Sequence, residues 1–80
     1  MIRVTIKLAG PLRHHHRKGY TPRGEAVELP DGVTVGELLK VFAIKEAHPQ
    51  LITINRQKAT PETVLTEGDV ICVIPRALGG

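Results

Sequence analysis

Gly79 and Gly80 close the 80-residue sequence, and they are the residues with the clearest chemical use. A diglycine lacks Cβ atoms, so it can thread a narrow channel and present a bare carboxylate to another protein's active site. The competing reading is a frayed end, since chain termini are commonly held loosely. Three other groups could do chemistry. His14, His15 and His16 supply imidazoles, Cys72 a thiol, and Arg13, Arg17, Lys18 and Arg23 a local concentration of positive charge. Zinc sites draw ligands from separate positions into a defined geometry. Three consecutive histidines splay in different directions, and no cysteine or acidic residue nearby in sequence completes a set. A solvated loop is expected there, and no metal is assigned. Cys72 sits inside Val70-Ile71-Cys72-Val73-Ile74, where a small apolar role is expected in preference to sulfur acceptance. The cationic loop would suit an acidic or phosphate-bearing surface, but an ordinary charged loop is slightly favoured. No nucleophile–base pair, phosphate loop or carboxylate pair is evident.

Composition narrows the function classes. Eighty residues make one small domain, which buries only about 60% of its unfolded surface. The apolar content of 41% is ordinary for a globular fold, and no segment approaches the roughly 20 apolar residues of a membrane helix. No signal-peptide pattern opens the chain, because Met1-Ile2-Arg3-Val4 already alternates as a strand does. One cysteine excludes an internal disulfide framework and fits a reducing, cytoplasmic setting. The net charge of +3 favours an acidic partner without indicating nucleic acid. With only Tyr20 and Phe42 aromatic, a base-stacking platform is not expected.

The elements that would position these groups follow from periodicity. Ile2, Val4, Ile6 and Leu8 alternate with Arg3, Thr5 and Lys7, which predicts a strand with one buried face. Residues 9–24 are a basic, glycine-containing connection ending in a turn at Thr21-Pro22-Arg23-Gly24. Tyr20 is expected to pack this loop on the sheet. Glu25 to Leu29 is a second strand, stopped by Pro30-Asp31-Gly32. Thr34 and Glu37 have capping-box spacing, and Val33 and Leu38 the spacing of a hydrophobic staple. Val35, Leu38, Leu39 and Phe42 then mark one helical stripe. The helix is expected to fade at Lys45 to Ala47, because Pro49 disfavours helix at His48. Leu51 to Ile54 is a third strand, Asn55-Arg56-Gln57 a tight turn into a short edge segment, and Thr66-Glu67-Gly68-Asp69 another turn. Val70 to Ile74 is apolar on both faces and reads as a central strand ended by Pro75. By alternation Ile71 and Val73 would share one face and Val70, Cys72 and Ile74 the other; whichever lies away from the helix would form an apolar patch for a partner unless the 9–24 loop covers it. Placing the first and last strands side by side gives an α+β, ubiquitin-like β-grasp, a mixed sheet covered by one main helix. Residues 1–75 would be that domain and 76–80 a flexible diglycine tail.

In this order the chain resembles the ubiquitin-like sulfur carriers (MoaD/ThiS type). They include the small subunit of molybdopterin synthase and the sulfur carrier of thiazole biosynthesis. The likeness rests on Leu8-Ala9-Gly10-Pro11-Leu12-Arg13, Val33-Thr34-Val35-Gly36-Glu37-Leu38-Leu39, Ile54-Asn55, Leu65-Thr66-Glu67-Gly68-Asp69-Val70-Ile71 and Gly79-Gly80. It implies a co-substrate without catalytic side chains, binding no cofactor of its own. A ubiquitin-activating-type enzyme would consume ATP to adenylate the Gly80 carboxylate. A sulfur donor would convert it to a thiocarboxylate, and a synthase subunit would accept the sulfur for molybdopterin (molybdenum cofactor) or thiamine biosynthesis. Gly79, Leu78 and Arg76 would be read in the tail. Neither nucleic acid nor membrane is an implied partner. Arg76 departs from the molybdopterin-type tail, which is apolar there. The span between helix and third strand is short, as in thiazole-type carriers, while the 9–24 loop is longer than theirs. No pathway is assigned from these residues.

Two other classes stay open. A protein modifier would begin with the same adenylation and end joined to lysines through Gly80. A β-grasp binding module would carry the diglycine incidentally.

Overall fold

The computed structural model describes residues 1–15, 23–45 and 50–76. The expected Thr21-Pro22 half of a turn, the packing of Tyr20 and the region of His48 and Pro49 lie outside these residues. Five strands are present among them: β1 (Ile2–Leu8), β2 (Glu25–Leu29), β3 (Gln50–Ile54), β4 (Gln57–Lys58) and β5 (Val70–Pro75). They form one sheet in the order β2-β1-β5-β3-β4. β1 pairs with β2 antiparallel and with β5 parallel, and β3 pairs antiparallel with β5 and β4. This is the β-grasp arrangement, with helix α1 (Val35–Val41) packed across one face.

Alternation decides which face is covered. Val4, Ile6 and Leu8 of β1, Val27 and Leu29 of β2, Ile52 of β3, and Ile71 and Val73 of β5 all bury on the helix side. They meet Val35, Leu38, Leu39 and Phe42, the stripe that the helical spacing marks. Burying one such side chain is worth roughly 1.5–3 kcal/mol.

The start of α1 follows the capping box closely. The Glu37 amide donates to Thr34 Oγ1 at 3.3 Å, and the Thr34 amide donates back to Glu37 Oε1 at 3.2 Å. Two further first-turn donors find carbonyls in the segment before β5. The Val35 amide reaches Thr63 at 2.9 Å and the Gly36 amide reaches Pro61 at 2.9 Å. Every early amide of the helix therefore has an acceptor, and the 61–65 segment is tied across its start.

The helix ends earlier than Lys45. Phe42 is the C-cap, and Ala43 takes a positive φ of 58°. The Ala43 amide donates to the Lys40 carbonyl at 3.0 Å and the Ile44 amide to the Leu39 carbonyl at 2.9 Å. These two bonds are those of a Schellman stop, normally signalled by glycine. Alanine hides the signal, and burial of Ile44 beside Leu39 supplies the accompanying apolar contact. A second difference lies in the 9–24 connection. Gly10–His15 is a 3-10 turn, and Leu12 packs against the core.

Two turns are fixed by backbone conformation or by side chains. Asn55 and Arg56 both have positive φ, as a two-residue hairpin between β3 and β4 requires. Asp69, buried, accepts from the Thr66 amide (2.8 Å), Thr66 Oγ1 (3.2 Å) and Asn55 Nδ2 (3.0 Å). Asn55 Oδ1 in turn accepts from the Val70 amide at 2.9 Å, so the start of β5 is clamped.

Two substitutions should move stability in opposite directions. Ala43→Gly removes left-handed strain and should add about 1 kcal/mol. Gly24 has φ 92°, and a Cβ there would lie 2.8 Å from Lys7 Cγ and 2.9 Å from the Ile6 carbonyl oxygen. Gly24→Ala should therefore cost about 2 kcal/mol or more, from strain and crowding together. Urea denaturation of the two variants against the parent checks both signs.

Candidate functional site: the end of the central strand

β5 is the strand that leads to the diglycine. It lies between β1 and β3, so its backbone is bonded on both sides: Cys72 stands opposite both Lys7 and Thr53, and Val73 opposite both Leu8 and Ile52. The Ala9 amide extends the β1 ladder by donating to Val73 at 3.0 Å. Pro75 stands opposite Gln50 and closes the strand, since it has no amide hydrogen to offer the ladder. Gly10, at φ 56°, packs beside it, and a Cβ there would meet Pro75 Cγ at 3.4 Å. The end of β5 is thus buttressed by the turn after β1.

Arg76 follows immediately and is exposed. No ion pair among the described residues includes it. Leu78, Gly79 and Gly80, the remaining residues read as the tail site, lie outside the described residues.

The outer face of the sheet carries the expected apolar patch. Ile74 is 41% exposed, and Val70, Cys72 and Leu51 are half-buried. Leu51 stands opposite Ile74, and Thr53 opposite Cys72. Lys7, Asn55, Arg56, Val70 and Cys72 line a cleft of about 360 Å³ on this face. The described part of the 9–24 connection does not supply a lid for this face. Its 3-10 turn packs instead toward the end of α1, where His15 Nδ1 donates to the Phe42 carbonyl at 2.9 Å.

That bond corrects the reading of the histidines as a simple solvated run. His14 is exposed, but His15 is half-buried and holds the helix end; His16 lies outside the described residues. Among the described residues no three His, Cys, Asp or Glu side chains come together as a metal site would need. Cys72 has the small, half-buried strand position expected of it. Sequence reasoning missed the roles of Gly10, His15 and Asp69. A glycine directly after a strand and a histidine amid turn residues carry little signal of long-range contacts.

The mixed sheet with one helix across it is a ubiquitin-like β-grasp fold. The comparisons narrow it. The ThiS family model matches residues 6–80, and the chain belongs to this family of ubiquitin-like sulfur carriers. It is 33% identical over 88 aligned positions to the molybdopterin synthase sulfur carrier subunit of Mycobacterium tuberculosis, with 100% of each chain covered. Among solved structures, it is similar to a Pyrococcus furiosus protein assigned as molybdopterin converting factor, subunit 1. That match has a TM-score of 0.74 and 21% identity, covering 96% of this chain and 100% of the other. Small archaeal modifier protein 1 of H. volcanii matches with a TM-score of 0.74 and 16% identity over 96% and 100%. At these identities the two structures confirm the β-grasp fold. No helix among the described residues is long and apolar enough to cross a membrane.

The two faces of β5 should respond differently to the same chemistry. Val73→Thr places a hydroxyl in the core and should cost about 1–3 kcal/mol. Ile74→Thr keeps the β-branch at a partly exposed position and should stay within about 1 kcal/mol of the parent. Thermal or urea unfolding of both variants measures the contrast.

Proposed function

We propose that this chain carries sulfur as a thiocarboxylate on Gly80 for molybdopterin synthesis. The observation that carries the reading is the family match extending through the diglycine to residue 80. The full-length likeness to a molybdopterin synthase sulfur carrier subunit favours that pathway over the thiazole one. The chemistry suits the tail. A carboxylate is a poor electrophile, and its mixed anhydride with AMP is a good one. The Gly80 carboxylate attacks the α-phosphorus of ATP on an adenylating enzyme, and pyrophosphate leaves. A sulfur donor then displaces AMP, leaving a thiocarboxylate that acts as a nucleophile at neutral pH.

In this reading the carrier contributes position rather than catalysis. Pro75 and Gly10 fix where the tail starts, and Gly79 gives it clearance inside the enzyme's channel. Arg76 and Leu78 are recognised along it. The patch at Ile74, Leu51 and Val70 seats the folded domain on the adenylating enzyme and on the sulfur-accepting synthase subunit. ATP belongs to the enzyme, and the carrier binds no cofactor. Cys72 has no part in the transfer. The setting is the cytoplasm, where the activation enzymes and ATP are found together.

The test is the intact mass of the chain after incubation with a ubiquitin-activating-type enzyme, ATP and a sulfur donor. The expected gain equals one oxygen exchanged for one sulfur. Deleting Gly80 should abolish it, and Cys72→Ser should leave it unchanged. No gain, with the enzyme active on another carrier, would overturn the proposal. Conjugates to lysine that survive reducing gels would instead mark a modifier, and function retained without Gly79 and Gly80 a binding module.

A further inference from the structure

Charge is divided along the strand direction. β1 ends at Leu8, β5 runs parallel to it and ends at Pro75, and β2 and β3 run the opposite way. Leu8, Pro75 and the first residues of β2 and β3 therefore share one end of the sheet, the end from which Arg76 and the tail depart.

Lys7, Arg23, Lys45 and Arg76 all belong to that end, and all are exposed. Lys7 is the penultimate residue of β1. Arg23 precedes Gly24, whose backbone lies against Thr5 and Lys7. The Lys45 carbonyl accepts from Gln50 Nε2 at 3.4 Å, which places it beside the start of β3. Among the described residues the carboxylate at this end is Glu25, and it is buried.

The exposed carboxylates gather at the other end. Glu28 stands opposite Arg3, and Glu67 accepts from the Arg3 amide at 3.0 Å. Asp31 pairs with the N-terminal ammonium at 3.0 Å. Glu37 is in the first turn of α1, and Glu62 lies between the two residues whose carbonyls cap that turn. The two ion pairs among the described residues, Met1–Asp31 and Arg3–Glu28, are both at this far end. Among the described residues, neither pair includes Lys7, Arg23, Lys45 or Arg76.

We infer that Lys7, Arg23, Lys45 and Arg76 form a cationic collar around the tail root that docks on an acidic protein surface. That surface rims the channel into which the adenylating enzyme takes the tail; the inference rests on the carrier reading proposed above. A one-sided distribution of this kind steers encounter and orientation more than it adds affinity. It turns the molecule tail-first as it approaches an acidic rim, so collision and threading share one orientation. The far end, with mixed charge, is repelled by or indifferent to the same rim. Nucleic acid is the less suitable occupant, because the collar includes no aromatic residue on which a base could stack.

The experiment is stopped-flow association of the full chain with the ubiquitin-activating-type enzyme of the same genome, the enzyme bearing a fluorophore. Rates are taken from low to high sodium chloride. Arg23→Glu/Lys45→Glu is compared with Lys58→Glu, a cation of β4 outside the collar, and each fold is verified by its unfolding curve. The collar variant should associate on the order of tenfold more slowly than wild type at low salt. The gap should close near 1 M salt, where the screening length is about 3 Å, and Lys58→Glu should follow wild type throughout. Equal rates for all three chains, or slowing by Lys58→Glu alone, would overturn the collar. Tight, collar-dependent binding to a single-stranded oligonucleotide at physiological salt would overturn it in favour of nucleic acid. Adenylation of wild type, scored in parallel by pyrophosphate release, separates the two failures. Normal adenylation with collar-independent association sinks this inference alone, whereas no adenylation of wild type sinks the carrier reading and the collar with it.

Discussion

The parallel pairing of β1 with β5 holds the rest of the structure in place. It joins a strand at the start of the chain to the strand that leads to its end, so Lys7 faces Cys72 and Leu8 faces Val73. A parallel pair cannot be closed by a tight turn, so the intervening chain must cross over, and α1 is the element that does so against the apolar face. β3 then completes the flanking of β5, and β2 and β4 become the edges. The consequence for function is direct. A strand bonded on both sides cannot shift lengthwise without breaking two ladders, so Pro75 marks a fixed departure point for the residues that follow.

Local bonds protect this arrangement at both ends of β5. Asn55 and Asp69 tie its start to the β3–β4 hairpin and to the turn before it, satisfying a buried carboxylate with three donors. Gly10 and the Ala9 amide hold its finish. His15 links the same turn to the end of α1. The outer face keeps Ile74 and Cys72 available while the inner face is closed by Ile71 and Val73. One strand thus closes the core with Ile71 and Val73 and leaves Ile74 exposed and Cys72 half-buried on the other face.

Much of this was legible in the residues. Alternation in Ile2 to Leu8 named the buried face of β1, and the spacing of Thr34 and Glu37 named the helix start. The continuous apolar run at Val70 to Ile74 named the central strand. These features are local or strictly periodic, so the sequence displays them directly. The helix end was hidden because Ala43, not glycine, adopts the left-handed conformation. The His15 bond to Phe42 was hidden because it joins residues 27 positions apart in sequence. Asp69 looked like an ordinary turn residue, and its burial follows from Asn55 arriving beside it through the sheet. At the candidate site, the end of the last strand at Pro75 was readable. The close approach of Gly10 was not, because it arises only when β1 and β5 lie side by side.

The central claim is that a folded β-grasp domain presents a diglycine carboxylate for activation. ATP–pyrophosphate exchange by the adenylating enzyme tests it most directly. Three additions are compared: the intact chain, the chain lacking Gly79 and Gly80, and a peptide of residues 71–80. The account predicts exchange with the intact chain alone, because the carboxylate must both exist at the end of two glycines and be delivered by the docked domain. Equal exchange with the truncated chain would contradict the role of the diglycine, and equal exchange with the peptide would contradict the role of the fold.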